Sequence, residues 1–215
     1  QRQMCIRDSV YGAWCVKPED LKDAIGGMRA LGISGINVTA PHKVEVMKYI
    51  DVVTDGAKKL GSVNTVVNRD GKLYGYNTDA DGFCMALTKA GIEIENSRIL
   101  IIGAGGVVRP TLIRLIDNKP KSITVVNRTK SKAKTLAEDI LKSTGFEVNT
   151  EIDKLEFDIV INTTSAGMEP QENVMPIENI EEINDLSFIN ENTAAVDMIY
   201  NPDKTLFLQE AEKRG

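Results

Sequence analysis

The chain has 215 residues, 42% of them apolar and 27% charged, with 26 Lys and Arg against 31 Asp and Glu for a net charge of −5. That balance suits one large or two small globular domains and excludes intrinsic disorder, and the sign of the charge argues against a general nucleic-acid binder. No apolar run approaches the roughly 20 residues that cross a bilayer, and three unpatterned Cys with a single His point to a cytoplasmic protein with reduced thiols and no metal site.

Beta and alpha signals alternate along the chain. Residues 10–16 are rich in β-branched and aromatic side chains and predict a strand. Pro18, Glu19 and Asp20 then suit the start of a helix, in which Leu21, Ile25, Met28 and Leu31 recur at helical spacing and which Gly32 stops. A second short strand is predicted over 34–38 and a helix over 43–50. Residues 63–68 and 72–76 flank Arg69-Asp70-Gly71 as a hairpin, and a helix over 79–90 ends at Gly91. The apolar run 99–102 reads as a parallel strand buried on both faces. After it come a glycine turn, a helix, a strand over 123–126 and a helix over 131–141, with further strands at 146–149, 158–161 and 194–197. Successive βαβ units of this kind make a doubly wound parallel sheet. The stretch 169–192 is polar and carries no assigned pattern.

The run Gly103-Ala104-Gly105-Gly106-Val107-Val108 lies between a predicted strand and a predicted helix, the setting a dinucleotide fingerprint requires. Gly103 permits the tight turn, and Gly105 lets backbone N–H groups approach a pyrophosphate at the helix N-terminus. Val108 stands where a third Gly or Ala is usual. A tight βα turn without a ligand remains an alternative at this stage. The second strand ends at Asn127-Arg128-Thr129, followed by Lys130, Lys132 and Lys134. An NAD enzyme would present a carboxylate there to the ribose 2′-hydroxyl, whereas Arg128 and Lys132 suit a 2′-phosphate, so NADP is the expected cofactor. Lys130 and Lys134 fit a solvated helix face equally well.

In the first half, Asn37-Val38-Thr39-Ala40-Pro41-His42-Lys43 runs from a strand end through a proline turn and delivers Thr39 and Lys43 to one loop. Polar clusters recur at 61–65 and 75–79. Turn chemistry or helix capping would also account for Thr39, Asn64 and Asp79 one by one.

Taken together and in order, NVTAPHK, GSVNTV, YNTDADGF, GAGGVVR, NRTKSKA, NTTSAGM and DMIYNP resemble the shikimate dehydrogenase family from Val10 onward. The resemblance implies an N-terminal α/β substrate domain over 1–91, a Rossmann-type NADP domain over 92–200 and a C-terminal helix over 201–215. It implies NADPH-dependent, reversible reduction of 3-dehydroshikimate to shikimate by a monomer or homodimer. By motif, Lys43 and Asp79 match the family's catalytic pair, and Thr39 and Asn64 match contacts to substrate. Tyr200 matches a residue near the substrate and Met198 one beside the nicotinamide. Gly103, Ala104, Gly105, Gly106 and Val107 match the pyrophosphate site, and Asn127, Arg128, Thr129 and Lys132 the 2′-phosphate site. An ammonium at Lys43 suits the proton that the new alkoxide needs, and a carboxylate at Asp79 would favour that charged form.

Residues 1–9, QRQMCIRDS, resemble nothing in the family and are expected to be non-native. The family's opening βα unit with its two serines, and a later helix with a substrate-binding glutamine, are expected to be missing. Two other readings are therefore carried: a quinate/shikimate dehydrogenase that uses NAD, and an NADP-binding chain without turnover.

Overall fold

The protein is described here by a computed structural model covering residues 10–183 and 185–215. The stretch 1–9 lies outside the described residues. The chain divides after Asn77 into two compact units.

In the first unit a 3-10 turn, Pro18–Asp20, leads into α1 (Leu21–Ala30), which buries Leu21, Ile25 and Met28. Then follow β1 (Gly35–Asn37), a 3-10 turn at Glu45–Lys48, β2 (Val52–Val53), α2 (Asp55–Leu60), β3 (Thr65–Arg69) and β4 (Lys72–Tyr76). The sheet is mixed, in the order β1-β3-β4-β2, with β1 and β4 antiparallel to β3 and β2 parallel to β4. The hairpin turn puts Asp70 at φ 52 and Gly71 at φ 84, the left-handed pair a two-residue loop with the right twist demands. One face of α1 packs with Val46, Val63, Val66 and Leu73.

Three expectations for this unit are corrected. Residues 10–16 form no strand, and Val10, Tyr11 and Trp14 are exposed, because β-branched content makes a strand only where a partner strand supplies the ladder. Side chains tie this segment down instead: the Tyr11 hydroxyl donates to Asn37 Oδ1 at 2.8 Å, and His42 Nε2 donates to the Val16 carbonyl at 2.8 Å. The stretch 43–50 is no α-helix, because the Lys43 carbonyl accepts from Val63 N–H at 2.7 Å rather than from the next helical turn. Leu31 lies past the end of α1 and is exposed.

The second unit holds α3 (Asp79–Lys89), β5 (Arg98–Ile102), α4 (Val108–Asp117), β6 (Ser122–Val126) and α5 (Lys130–Thr144). It continues through β7 (Ile159–Asn162) and β8 (Ala194–Asp197) to α6 (Leu206–Glu212). Its sheet is all parallel, in the order β6-β5-β7-β8. Ile99, Leu100, Ile101 and Ile102 are wholly buried, as a strand covered on both faces should be. By packing, α3 groups with these elements, through its contacts to α4. At 146–149 the chain makes only an isolated bridge, Asn149 to Thr124.

Among the described residues no helix joins β7 to β8. The chain there descends through successive turns, in which Ile180 N–H donates to Ile177 C=O, Ile183 N–H to Ile180 C=O and Ile189 N–H to Leu186 C=O. Ile177, Ile180, Ile183, Leu186, Phe188 and Ile189 are buried against Leu100, Ile102, Val160 and Phe207. The segment is a wall of the core, not a loop over it.

Candidate functional site

Strands β6 and β7 flank β5 on opposite sides, so the chain reverses its direction of winding at β5. Connections leave the strand ends in opposite directions at such a point, which opens a crevice past their carboxyl ends. A cavity of about 460 Å³ lies there, walled on one side by Gly103, Asn127, Arg128, Thr129 and Lys132, and on the other by residues of 164–166 and 171–180.

Gly103 is obligatory at this place. Its φ is +114, and a Cβ would stand 2.6 Å from Thr163 Oγ1 and 2.9 Å from Thr164 Cγ2. Around Gly105 and Gly106 a Cβ would meet nothing within 4 Å, so space stands open above the backbone at the start of α4. The start of a helix offers unpaired N–H groups and the positive end of its dipole to an anion. Val108, the departure from the fingerprint, is wholly buried and joins the core without opening the turn. The turn is fastened to β6: Gly103 N–H donates to Val126 C=O at 2.8 Å, Ala104 N–H to Asn127 Oδ1 at 3.2 Å, and Asn127 Nδ2 to Thr129 C=O at 2.9 Å. Asn127 thus uses its side chain to set the two halves of the cradle against each other.

Arg128 and Lys132 are exposed beside the cavity. Lys130 is not a bare solvated cation: its Nζ meets Glu181 at 2.8 Å and Glu182 at 2.9 Å, which raises its pKa above the ordinary lysine value and fastens α5 to the turn-built wall. Lys134 pairs loosely with Glu151 at 3.9 Å. The cations that wall the cavity are Arg128 and Lys132.

Sequence reasoning gave the ends of β7 and β8 no more than motif matches, and a polar network holds them. Asn162, wholly buried, donates through Nδ2 to both Asp197 carboxylate oxygens at 3.1 Å and to Ala166 C=O at 3.2 Å. Its Oδ1 accepts from Thr164 N–H at 2.9 Å and Thr164 Oγ1 at 2.8 Å. Asp197 also accepts from Ile199 N–H at 2.9 Å and Thr205 Oγ1 at 2.7 Å. Met198 N–H donates to Asn162 C=O at 3.0 Å, so the half-buried Met198 is held at the strand end. Tyr200, two residues on, is 89% exposed. The signal for this network was an Asn at the end of a fully apolar strand, which needs partners once buried.

The first unit brings Thr39, Lys43 and Asn64 into one neighbourhood. Val38 N–H donates to Asn64 C=O at 2.7 Å and Val63 N–H to Lys43 C=O at 2.7 Å, so two backbone bonds lock the loop after β1 to the entry of β3. Asn64 is buried, and its Oδ1 accepts from Thr65 Oγ1 at 3.0 Å. Thr39 is exposed and Lys43 half-buried. Beneath them Asn77 Nδ2 donates to Ser62 Oγ at 2.8 Å and stiffens the platform. Asp79 belongs to the second unit, where it is the exposed first residue of α3. Among the described residues no group of His, Cys, Asp and Glu could hold a metal ion, and no helix is long and apolar enough to cross a membrane.

Two family models match the chain: the shikimate dehydrogenase substrate-binding domain over residues 3–66, and shikimate/quinate 5-dehydrogenase over residues 85–202. The first match begins inside the stretch 1–9, which the motifs alone had set apart. A shikimate dehydrogenase (NADP⁺) from Geobacillus sp. strain WCH70 is 47% identical over 95% of this chain and 73% of its own length. One from Bacillus cereus ATCC 10987 is 43% identical over 97% and 74%. A crystal structure of a shikimate dehydrogenase with NADP⁺ superposes with a TM-score of 0.82 at 39% identity, over 93% of this chain and 69% of that one. The Listeria monocytogenes shikimate 5-dehydrogenase with shikimate and NAD gives 0.81 at 31%, over 94% and 72%.

Proposed function

The chain belongs to the shikimate dehydrogenase family, and on that premise we propose that it is an NADP-dependent oxidoreductase that interconverts 3-dehydroshikimate and shikimate. The observation that carries this reading is the glycine cradle and the two cations, Arg128 and Lys132, on the wall of one cavity at the sheet's switch point. The second unit is the cofactor unit in this proposal and the first the substrate unit.

The residues fit the cofactor. The open backbone at Gly105 and Gly106 would hold the pyrophosphate, and Arg128 and Lys132 would take the 2′-phosphate through charge-assisted hydrogen bonds. When bound, NADPH supplies the hydride that reduces the substrate ketone. Lys43 stabilises the negative charge that develops on the ketone oxygen and gives that oxygen its proton. By motif, Asp79 is the second member of the catalytic pair with Lys43. Thr39 and Asn64, on the same locked loops as Lys43, orient substrate hydroxyls, and Met198 and Tyr200 contribute from the turn after β8. His42 is spent on the Val16 carbonyl and takes no part.

Following NADPH oxidation with 3-dehydroshikimate tests the activity, and Lys43→Ala tests the mechanism. The variant is expected to lose about 10²–10⁴-fold in kcat, the scale of positioned acid–base catalysis, with NADP affinity unchanged. A near-normal kcat with only a raised KM would reassign Lys43 to substrate binding.

A further inference from the structure

Arg114, in the last turn of α4, uses its guanidinium to span two helices. One Nη meets Asp81 on the first turn of α3, and the other meets Asp117 on its own helix at 3.2 Å. The side chain is only 30% exposed, and its Nε is buried without a hydrogen-bond partner. A half-sunk cation with an unsatisfied N–H is a costly way to glue two helices that apolar side chains could join. The planar fork is what lets one residue reach both carboxylates, which a lysine would do less rigidly. The groups facing it are Asp81 and Asp117 with Cys84, whose thiol burial pushes up to about 11 and so leaves neutral.

The two helices joined are those that matter to the reaction. Asp79 opens α3, two residues before Asp81, while α4 starts directly behind the glycine cradle Gly103–Val107. We propose that Arg114 is a positioning residue: by holding Asp81 it fixes the first turn of α3, and with it the Asp79 carboxylate, relative to the cofactor cradle. This rests on the reading of Asp79 as a catalytic group. Misplacing a reacting group by about 1 Å can cost as much as 10²-fold in rate, so a modest slackening of α3 is visible in kcat.

The test is a double-mutant cycle in the full chain. Arg114→Met and Asp81→Asn are each expected to lower kcat about 5- to 50-fold, with the Kd for NADP within about twofold and Arg114→Lys recovering part of the loss. On an Asp79→Asn background, Arg114→Met should lower kcat less than about twofold further, because the group it positions is already gone. A merely structural link would lower kcat by the same factor on both backgrounds, and that result overturns the proposal. So does a folded Arg114→Met with normal kcat beside a slow Asp79→Asn. Normal kcat in Asp79→Asn itself would overturn the catalytic reading of Asp79 and this proposal with it. If Arg114→Met fails to fold, the half-exposed Asp81→Asn carries the same cycle.

Discussion

The two walls of the cavity at the sheet's switch point are built on opposite principles. One is strand, turn and helix, with Gly103 after β5 and Arg128 after β6, and every position has a periodic or motif signature. The other, 164–180, is a run of turns with no helix or strand, yet Ile177 and Ile180 in it are buried against Leu100 and Ile102 of the same sheet. Regularity and burial are therefore separate properties. A segment can be a full member of the core while satisfying its backbone through turns rather than a ladder or a helix.

The largest effect that could break this equivalence is on stability. Ile180 in the turn-built wall and Leu100 in β5 are 5% and 0% exposed and sit in one cluster. Truncating either to Ala should lower global stability by about 2–5 kcal/mol, measured by urea unfolding at unchanged m-value. A loss below about 1 kcal/mol for Ile180→Ala alone would show that the turn-built wall opens independently of the strands.

Next in size is the regular wall's own chemistry. Arg128→Ala removes a charge-assisted partner worth about 1.5–3 kcal/mol, so the preference of kcat/KM for NADPH over NADH should fall by roughly tenfold to hundredfold. NADH kinetics should change little. Equal use of the two coenzymes by the unaltered protein would instead favour the NAD-using reading of the sequence.

The same contrast explains what was legible in the sequence. The apolar run 99–102, the glycine turn and the Asp70-Gly71 hairpin are each dictated locally, by burial on both faces or by a backbone conformation few residues adopt. The candidate groups Lys43, Asp79, Gly103 and Arg128 came out of motifs at the ends of those elements. By contrast, β2 and α2 are two and six residues long, too short for periodicity to register. Residues 10–16 have strand composition and, among the described residues, no partner strand, a fact that lies elsewhere in the fold. The turn-built wall did carry a signal: Ile177, Ile180, Ile183, Leu186 and Ile189 recur every three residues, the period of 3-10-like turns rather than of a helix or strand. The Glu, Asn, Asp and Ser residues between them hid it.

The smallest effect concerns the ion pair that staples β5 to β7 at the end of the sheet away from the cavity. Arg98 on β5 donates from its backbone N–H, Nε and Nη2 to Asp158, just before β7, at 2.7, 3.2 and 3.0 Å. The Arg98 side chain, and burial acting against it more weakly, leave the Asp158 pKa below its ordinary value. A carboxylate with a lowered folded pKa adds stability that is present above its unfolded pKa of about 3.9 and is lost as pH falls through the folded value. The Asp158 side chain is 42% exposed, so screening keeps its contribution to the roughly 0–1 kcal/mol of a surface pair. Asp158→Asn should therefore lower Tm by a few degrees at pH 7, and the gap from the unaltered protein should close as pH is lowered from about 4 toward 2. A gap that stays constant across that range would mean that the residue matters through its backbone bond and packing, and that the staple between β5 and β7 owes nothing to charge.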